Sequence, residues 1–237
     1  MGKNLIQQAR GKGGPTYRSP SFRYAGEIKL YPLTDQTILG CVKEIIKCPG
    51  HSAPLIHTAY QDGIHTLTSA AEGIREGQSV EFGPNAEIKP GNTLPISQIP
   101  EGTLIFNIEN RPGDGGKFCR ASGTFAKIIA RNDNKVLVLL PSKKQKAVGS
   151  TCRATIGIIA GGGRTEKPIL KAGVAYHKHR AKNKLYPKIS GTSQNAVDHP
   201  FGKSRSAKKG RPTQAPHNAP PGRNVGKLRP RRVGYKR

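Results

Sequence analysis

Apolar residues in this chain come in short bursts. Between Ile28 and Ile159, Ile, Leu, Val and Phe recur in brief clusters, each cut off by Gly, Pro, Asn or Asp. Close, evenly spaced segments of this kind predict strands of a small barrel or sandwich. The pattern places strands at Ile38–Ile46, Leu55–Tyr60, Ile64–Ser69, Ser79–Phe82, Ala86–Ile88 and Leu104–Glu109. Gln61-Asp62-Gly63 supplies a hairpin turn, and Pro90-Gly91-Asn92 and Pro100-Glu101-Gly102 punctuate the chain between the last two of these strands. After the Gly-rich stretch Asn110–Gly116, a second group is predicted. It comprises Thr124–Ala130 and Val136–Leu140, joined across 131–135, then Lys144–Val148 and Thr151–Ile159. Helical periodicity is weak throughout, with at most one turn at Ala70–Ile74. The expected fold is all-β: an OB-like barrel followed by an SH3-like barrel, with extended basic N- and C-terminal arms. The corresponding bounds are 1–24 for the N-terminal extension, 25–99 and 100–176 for the barrels, and 177–237 for the tail.

Charge sharpens that division. Of a net +26 over 237 residues, residues 1–24 carry five Lys or Arg and no acid, and residues 177–237 carry seventeen against the single Asp198. The long middle is nearly balanced, with eighteen bases and thirteen acids. Beyond Lys178 the large apolar residues stand singly among Lys, Arg, Gly and Pro, too sparse to offset the entropy of ordering. Such arms repel themselves until a polyanion neutralises them, so the implied partner is nucleic acid. No apolar run approaches the ~18 residues of a membrane span, and no secretory core opens the chain. The reading is therefore a cytoplasmic protein without membrane contact. Cys41, Cys48, Cys119 and Cys152 lack CxxC pairing, and Cys41 and Cys48 with His51 lack the second pair that a zinc site requires. They read as reduced thiols.

Few motifs carry chemistry. Gly113-Asp114-Gly115-Gly116-Lys117 lacks the spacing, the Ser/Thr and the following helix of a nucleotide-binding loop. Exposed glycine amides beside Lys117 and Arg120 would still suit a backbone phosphate. Gly161-Gly162-Gly163-Arg164 would let a polynucleotide approach the main chain. The run from His177 to Lys184 interleaves bases with neutral residues and continues into the tail. Asn195–Gly202 holds Asp198 and His199 between two large apolar residues. An Asp beside a His could orient a general base, but adjacent residues seldom achieve that geometry, and no nucleophile stands nearby. A turn presenting His199 and Phe201 to RNA bases fits better. With few aromatics and no RNP1 consensus or GXXG clamp, shape and phosphate contacts should dominate.

A set of ordered segments then points to one family. They are Ser52–Leu55, Ala71–Gly73, Gly91–Pro95, Pro112–Phe118, Cys152–Gly157, Ala160–Arg164, Lys167-Pro168, Lys171–Gly173 and Val197–Gly202. In this order and spacing the chain closely resembles, over essentially its whole length, the universal L-two family of large-ribosomal-subunit proteins, in its archaeal/eukaryotic branch. The resemblance implies a non-enzymatic primary binder of large-subunit rRNA, with both termini threaded into RNA. It also implies a place near small-subunit rRNA and other ribosomal proteins, where it helps join the subunits. His199 would lie on an extension directed toward the peptidyl-transferase region. Residues 190–195 and 203–205 depart from the family pattern, restricting the loop and adding charge.

The expected RNA-binding residues are Arg10, Lys12, Arg18, Lys117, Arg120, Arg153, Arg164, Lys178, Arg180, Lys182, Asp198, His199, Lys208, Lys209, Arg211 and Arg223. No small-molecule substrate, no catalytic residue and no metal ligand is expected. The reading assigns the chain no cofactor, and any Mg2+ ions come with the RNA. Two other readings are separable by experiment: an acyl-transfer enzyme using His199, and a general DNA-compacting protein.

Overall fold

The computed structural model describes residues 3, 5–132, 134–199, 201–203 and 218. The described residues form two compact units, Ser21–Ile169 and a second in which the residues up to Pro20 join those from Leu170 onward.

The larger unit is a ten-stranded sheet: β1 Ile38–Ile46, β2 Leu55–Tyr60, β3 His65–Ser69, β4 Ser79–Phe82, β5 Thr93–Pro95, β6 Leu104–Phe106, β7 Ala126–Asn132, β8 Lys135–Leu139, β9 Gln145–Gly149 and β10 Arg153–Ile156. Its spatial order is β3-β2-β1-β4-β5-β10-β6-β7-β8-β9. The all-β architecture is thus the OB-like followed by SH3-like arrangement. The last strand, β10, inserts between β5 and β6, pairing antiparallel with both. All four β10 positions are buried, as a strand at the centre of a covered sheet requires. Elsewhere the alternation is clean: in β7 Ala126 and Ile128 point inward while Lys127 and Ile129 are exposed. The largest core cluster gathers Ile96, Ile99, Ile105, Ile108, Ile128, Val136 and Val138, drawing on both groups. A smaller one packs Val42, Ile56, Ala70 and Val80 in the first.

Three differences from the sequence expectation have identifiable causes. Ala86–Ile88 is a loop, because side chains rather than a neighbouring strand satisfy its backbone. The Asn92 amide donates to the Glu87 carbonyl at 2.9 Å, and the Glu87 N–H donates to Glu81 Oε2 at 2.6 Å. Just after the turn at Pro90-Gly91-Asn92, Thr93–Pro95 forms β5, which was not among the expected strands. The strand expected over Leu104–Glu109 ends at Phe106, because Asn107 adopts φ +49°, outside strand geometry. Likewise β10 stops at Ile156 before Gly157, at φ +112°.

The second unit is not wholly extended. It holds α1 Ile6–Gly11, α2 Ala172–Arg180 and short 3-10 turns at Pro15–Tyr17 and Gly191–Ser193. Helix α2 carries His177, Lys178, His179 and Arg180 at its C-terminal end, where cations suit the helix dipole. It buries no side chain, so it leaves no apolar periodicity to read. Asn183 closes it at φ +48°, the left-handed geometry Asn tolerates. The N–H of Lys184 donates to the His179 carbonyl at 2.9 Å and that of Asn183 to Arg180 at 3.0 Å, a Schellman closure.

Candidate nucleic-acid interface

The Gly-rich loop at 113–117 is already occupied by its own chain. Asp114 accepts from the amides of Asn110, Arg111 and Gly116, and Glu109 Oε1 accepts from the Gly115 amide at 3.3 Å. The Lys117 amide donates to the Ile108 carbonyl at 2.7 Å. The amides of residues 114–117 are therefore not free for a phosphate, contrary to the expectation from the loop's glycines. What it offers instead is charge on a fixed frame: Lys117 is exposed, and Arg120 is half-buried with Nη1 donating to the Gly116 carbonyl at 3.3 Å. Both line a cleft of about 310 Å³ with residues 27–33.

Arg153 corrects the sequence reading more sharply. It is 6% exposed, and its guanidinium is turned inward rather than toward a partner. Nη2 lies 2.5 Å from Glu109 Oε1, Nε donates to Oε2 at 3.1 Å, and Nη1 donates to the Tyr31 carbonyl at 2.7 Å. The Phe82 ring lies 5.0 Å from its charged carbon. Glu109 is fully buried. A buried ion pair of this quality is held by its hydrogen bonds, and it ties the chain segment at 31–32 to β10. Among the expected surface cations, Arg153 is thus an internal strut.

At 161–164 the close approach expected of a polynucleotide is made by the protein itself. A Cβ on Gly123, at φ +70°, would collide with Gly162 Cα. Arg164 sits at the surface on this support, with Nε donating to Ser122 Oγ at 2.8 Å.

In the terminal unit, Lys12, Arg18, Lys178 and Arg180 are exposed, while Arg10 and Lys182 are half-buried. Arg10 lies 5.4 Å from the Tyr17 ring centre. Asp198 and His199 do not form a dyad. Asp198 Oδ1 pairs with Lys3 Nζ at 3.3 Å, whereas His199 Nδ1 accepts the Phe201 N–H at 3.1 Å. With Nδ1 used as acceptor, neutral His199 carries its proton on Nε2. Burial holds its pKa below the ordinary 6.5. The turn is tightly drawn: the His199 N–H donates to the Asn195 carbonyl at 3.1 Å and that of Gly202 to the His199 carbonyl at 2.9 Å. Gly191 is needed because any Cβ there would overlap the His199 ring, and Gly202 because a Cβ would overlap the Asn195 backbone. Phe201 is buried, so it is not a free stacking platform for bases, as the sequence had implied.

The comparisons with known proteins fall on this same frame. The family model described as "Ribosomal Proteins L2, C-terminal domain" matches residues 89–220. The chain is 48% identical, over the full length of both, to a protein of Methanothermobacter thermautotrophicus named large ribosomal subunit protein uL2. It is 47% identical to a protein of the same name from Methanopyrus kandleri, covering 99% of this chain and 98% of that one. A third, from Methanococcoides burtonii, is 47% identical over 99% of each. The chain belongs to the ribosomal protein L2 family.

This L2-family chain therefore presents its expected contacts in separate places. Lys117, Arg120 and Arg164 ride on the sheet unit. Arg10, Lys12, Arg18, Lys178, Arg180, Lys182, Asp198 and His199 belong to the terminal unit. Lys208, Lys209, Arg211 and Arg223 lie outside the described residues. Sequence reasoning missed Asn183, whose only signal was an Asn shortly after a run of helix formers. Among the described residues, no cluster of three His, Cys, Asp or Glu could hold a metal ion, and no helix is long and apolar enough to cross a membrane. All four cysteines are free.

Proposed function

We propose that this protein is a structural constituent of the large ribosomal subunit, a primary rRNA binder that supports assembly and acts in the cytoplasm on the ribosome. The observation that carries this reading is likeness over the whole chain, arms included, to proteins named large ribosomal subunit protein uL2. The charge distribution supplies the physics. A sheet unit of nearly balanced charge gives a rigid platform, and two cationic ends neutralise phosphates that would otherwise repel as RNA compacts.

Its partners are large-subunit rRNA and other ribosomal proteins, and small-subunit rRNA at a contact between subunits. Lys117, Arg120 and Arg164 serve as phosphate contacts on the body. Arg10, Lys12, Arg18, Lys178, Arg180 and Lys182 serve on the terminal unit. His199 reads RNA near the peptidyl-transferase region through its Nε2–H, and Lys208, Lys209, Arg211 and Arg223 extend the cationic tail. The protein has no catalytic role and no cofactor of its own; Mg2+ arrives with the RNA.

Reconstituted large subunits carrying His199→Ala test this reading. Assembly should weaken in parallel with any loss of peptidyl transfer. Full assembly with a missing chemical step would overturn the non-enzymatic assignment.

A further inference from the structure

The two ends of the chain are alike in charge, yet the structure joins them. Residues 3–18 carry four bases and no acid, and residues 172–199 add Lys178, Arg180, Lys182, Lys184 and Lys188 against one acid, Asp198. Left to electrostatics, these segments would separate. They are instead stitched together, at Asn183 and at Lys3 among the described residues. At one, the Asn183 amide donates from Nδ2 to the carbonyls of Thr16 and Arg18, each at 2.7 Å, while Arg10 Nη2 donates to the Asn183 carbonyl at 3.3 Å. At the other, the Lys3 N–H donates to the Val197 carbonyl at 2.8 Å and its ammonium pairs with Asp198.

Asn183 is suited to this double task. Its left-handed backbone closes α2, and the same geometry leaves its side chain free to bind two backbone carbonyls of a distant segment. The Lys3–Asp198 pair is too exposed, at 72% and 42%, to hold the second point alone. It lies immediately beside the His199 turn. Holding that turn therefore depends on the strap being anchored at Asn183 as well.

We propose that residues 3–18 and 183–199 form one RNA-gripping head with Asn183 as its clasp. The N-terminal segment sets the shape of the C-terminal one; it does not bind as a separate ribbon. This rests on the reading that the cationic ends contact RNA, and adds that they do so as a unit. Closing the head gathers its cations on one frame, so RNA binding and clasp closure strengthen each other reciprocally.

The test uses the full chain. Asn183→Gly keeps the left-handed backbone and removes the side chain whose Nδ2 makes both bonds. Asn183→Asp, equally tolerant of that backbone, sets a carboxylate against two carbonyls. In the RNA-free protein, both variants should speed hydrogen exchange at the amides of Lys3, Asp198 and His199, far along the chain from the substitution. Exchange faster only near Asn183 itself would overturn the clasp.

Affinity for in vitro transcribed large-subunit rRNA should fall about tenfold in Asn183→Gly, as expected for two modest hydrogen bonds. Combined with Lys12→Ala, the two losses should come to less than their product. A full product means independent arms and sinks the proposal. Equal wild-type affinity for rRNA and duplex DNA would instead sink the RNA reading, and the grip with it, even if the exchange pattern held.

Discussion

At the scale of single residues, Arg153 shows how a cation can be misread from sequence. In a chain with forty Lys and Arg, each looks like a contact, yet this one satisfies a buried carboxylate. Arg153→Ala leaves Glu109 charged in the interior and should cost about 3–5 kcal/mol in urea unfolding. Replacing both partners by Met and Leu should sit closer to wild type than either single change. A single variant as stable as wild type would refute the strut. His199 supplies a second prediction at this scale. Its pKa is lowered in the folded turn, so the unfolded form takes up a proton first as the pH drops below 6.5. The turn is therefore most stable above 6.5 and loses that advantage as pH falls through the lowered value. An NMR titration of His199 should show a midpoint below 6.5, and Gly191→Ala, which displaces the ring, should move it back upward.

At the scale of elements, legibility followed the depth of burial. β1, β2 and β4 match their expected bounds residue for residue, because one face of each meets a core and the alternation is written into the side chains. β5 was hidden, since three residues give no period. α2 was hidden for the opposite reason: a helix with no buried face carries no periodic signal. The Gly-rich loop was seen but misjudged, because glycine amides are free only if no carboxylate folds back on them. Gly116→Ala tests that frame. At φ +84°, with a new Cβ only 2.7 Å from the Asn107 carbonyl, it should destabilise by more than about 1 kcal/mol on thermal unfolding. It should also weaken rRNA binding by displacing Lys117. Unchanged melting would show that the loop is slack.

At the scale of the whole molecule, the governing quantity is salt. Neutralising about eight phosphates predicts a log–log slope of rRNA affinity against salt of about −6 to −7. Filter binding across a salt series measures it. A slope shallower than about −2 would mean that the cationic ends are idle in the complex. Co-sedimentation with large subunits should likewise survive low salt and fail only at high salt.

Composition and alternation alone determined the all-β class, most strand positions, the near-neutral body and the cationic ends, and the order and spacing of short motifs carried the family likeness. These are local properties, or sums over the chain. Only the tertiary structure decided that Arg153 faces inward, that the loop's amides are spent on Asp114 and Glu109, and that Asn183 fastens one terminus to the other. Each depends on groups that are remote in sequence or on a backbone angle, and no reading of neighbours along the chain brings Thr16 within 2.7 Å of Asn183.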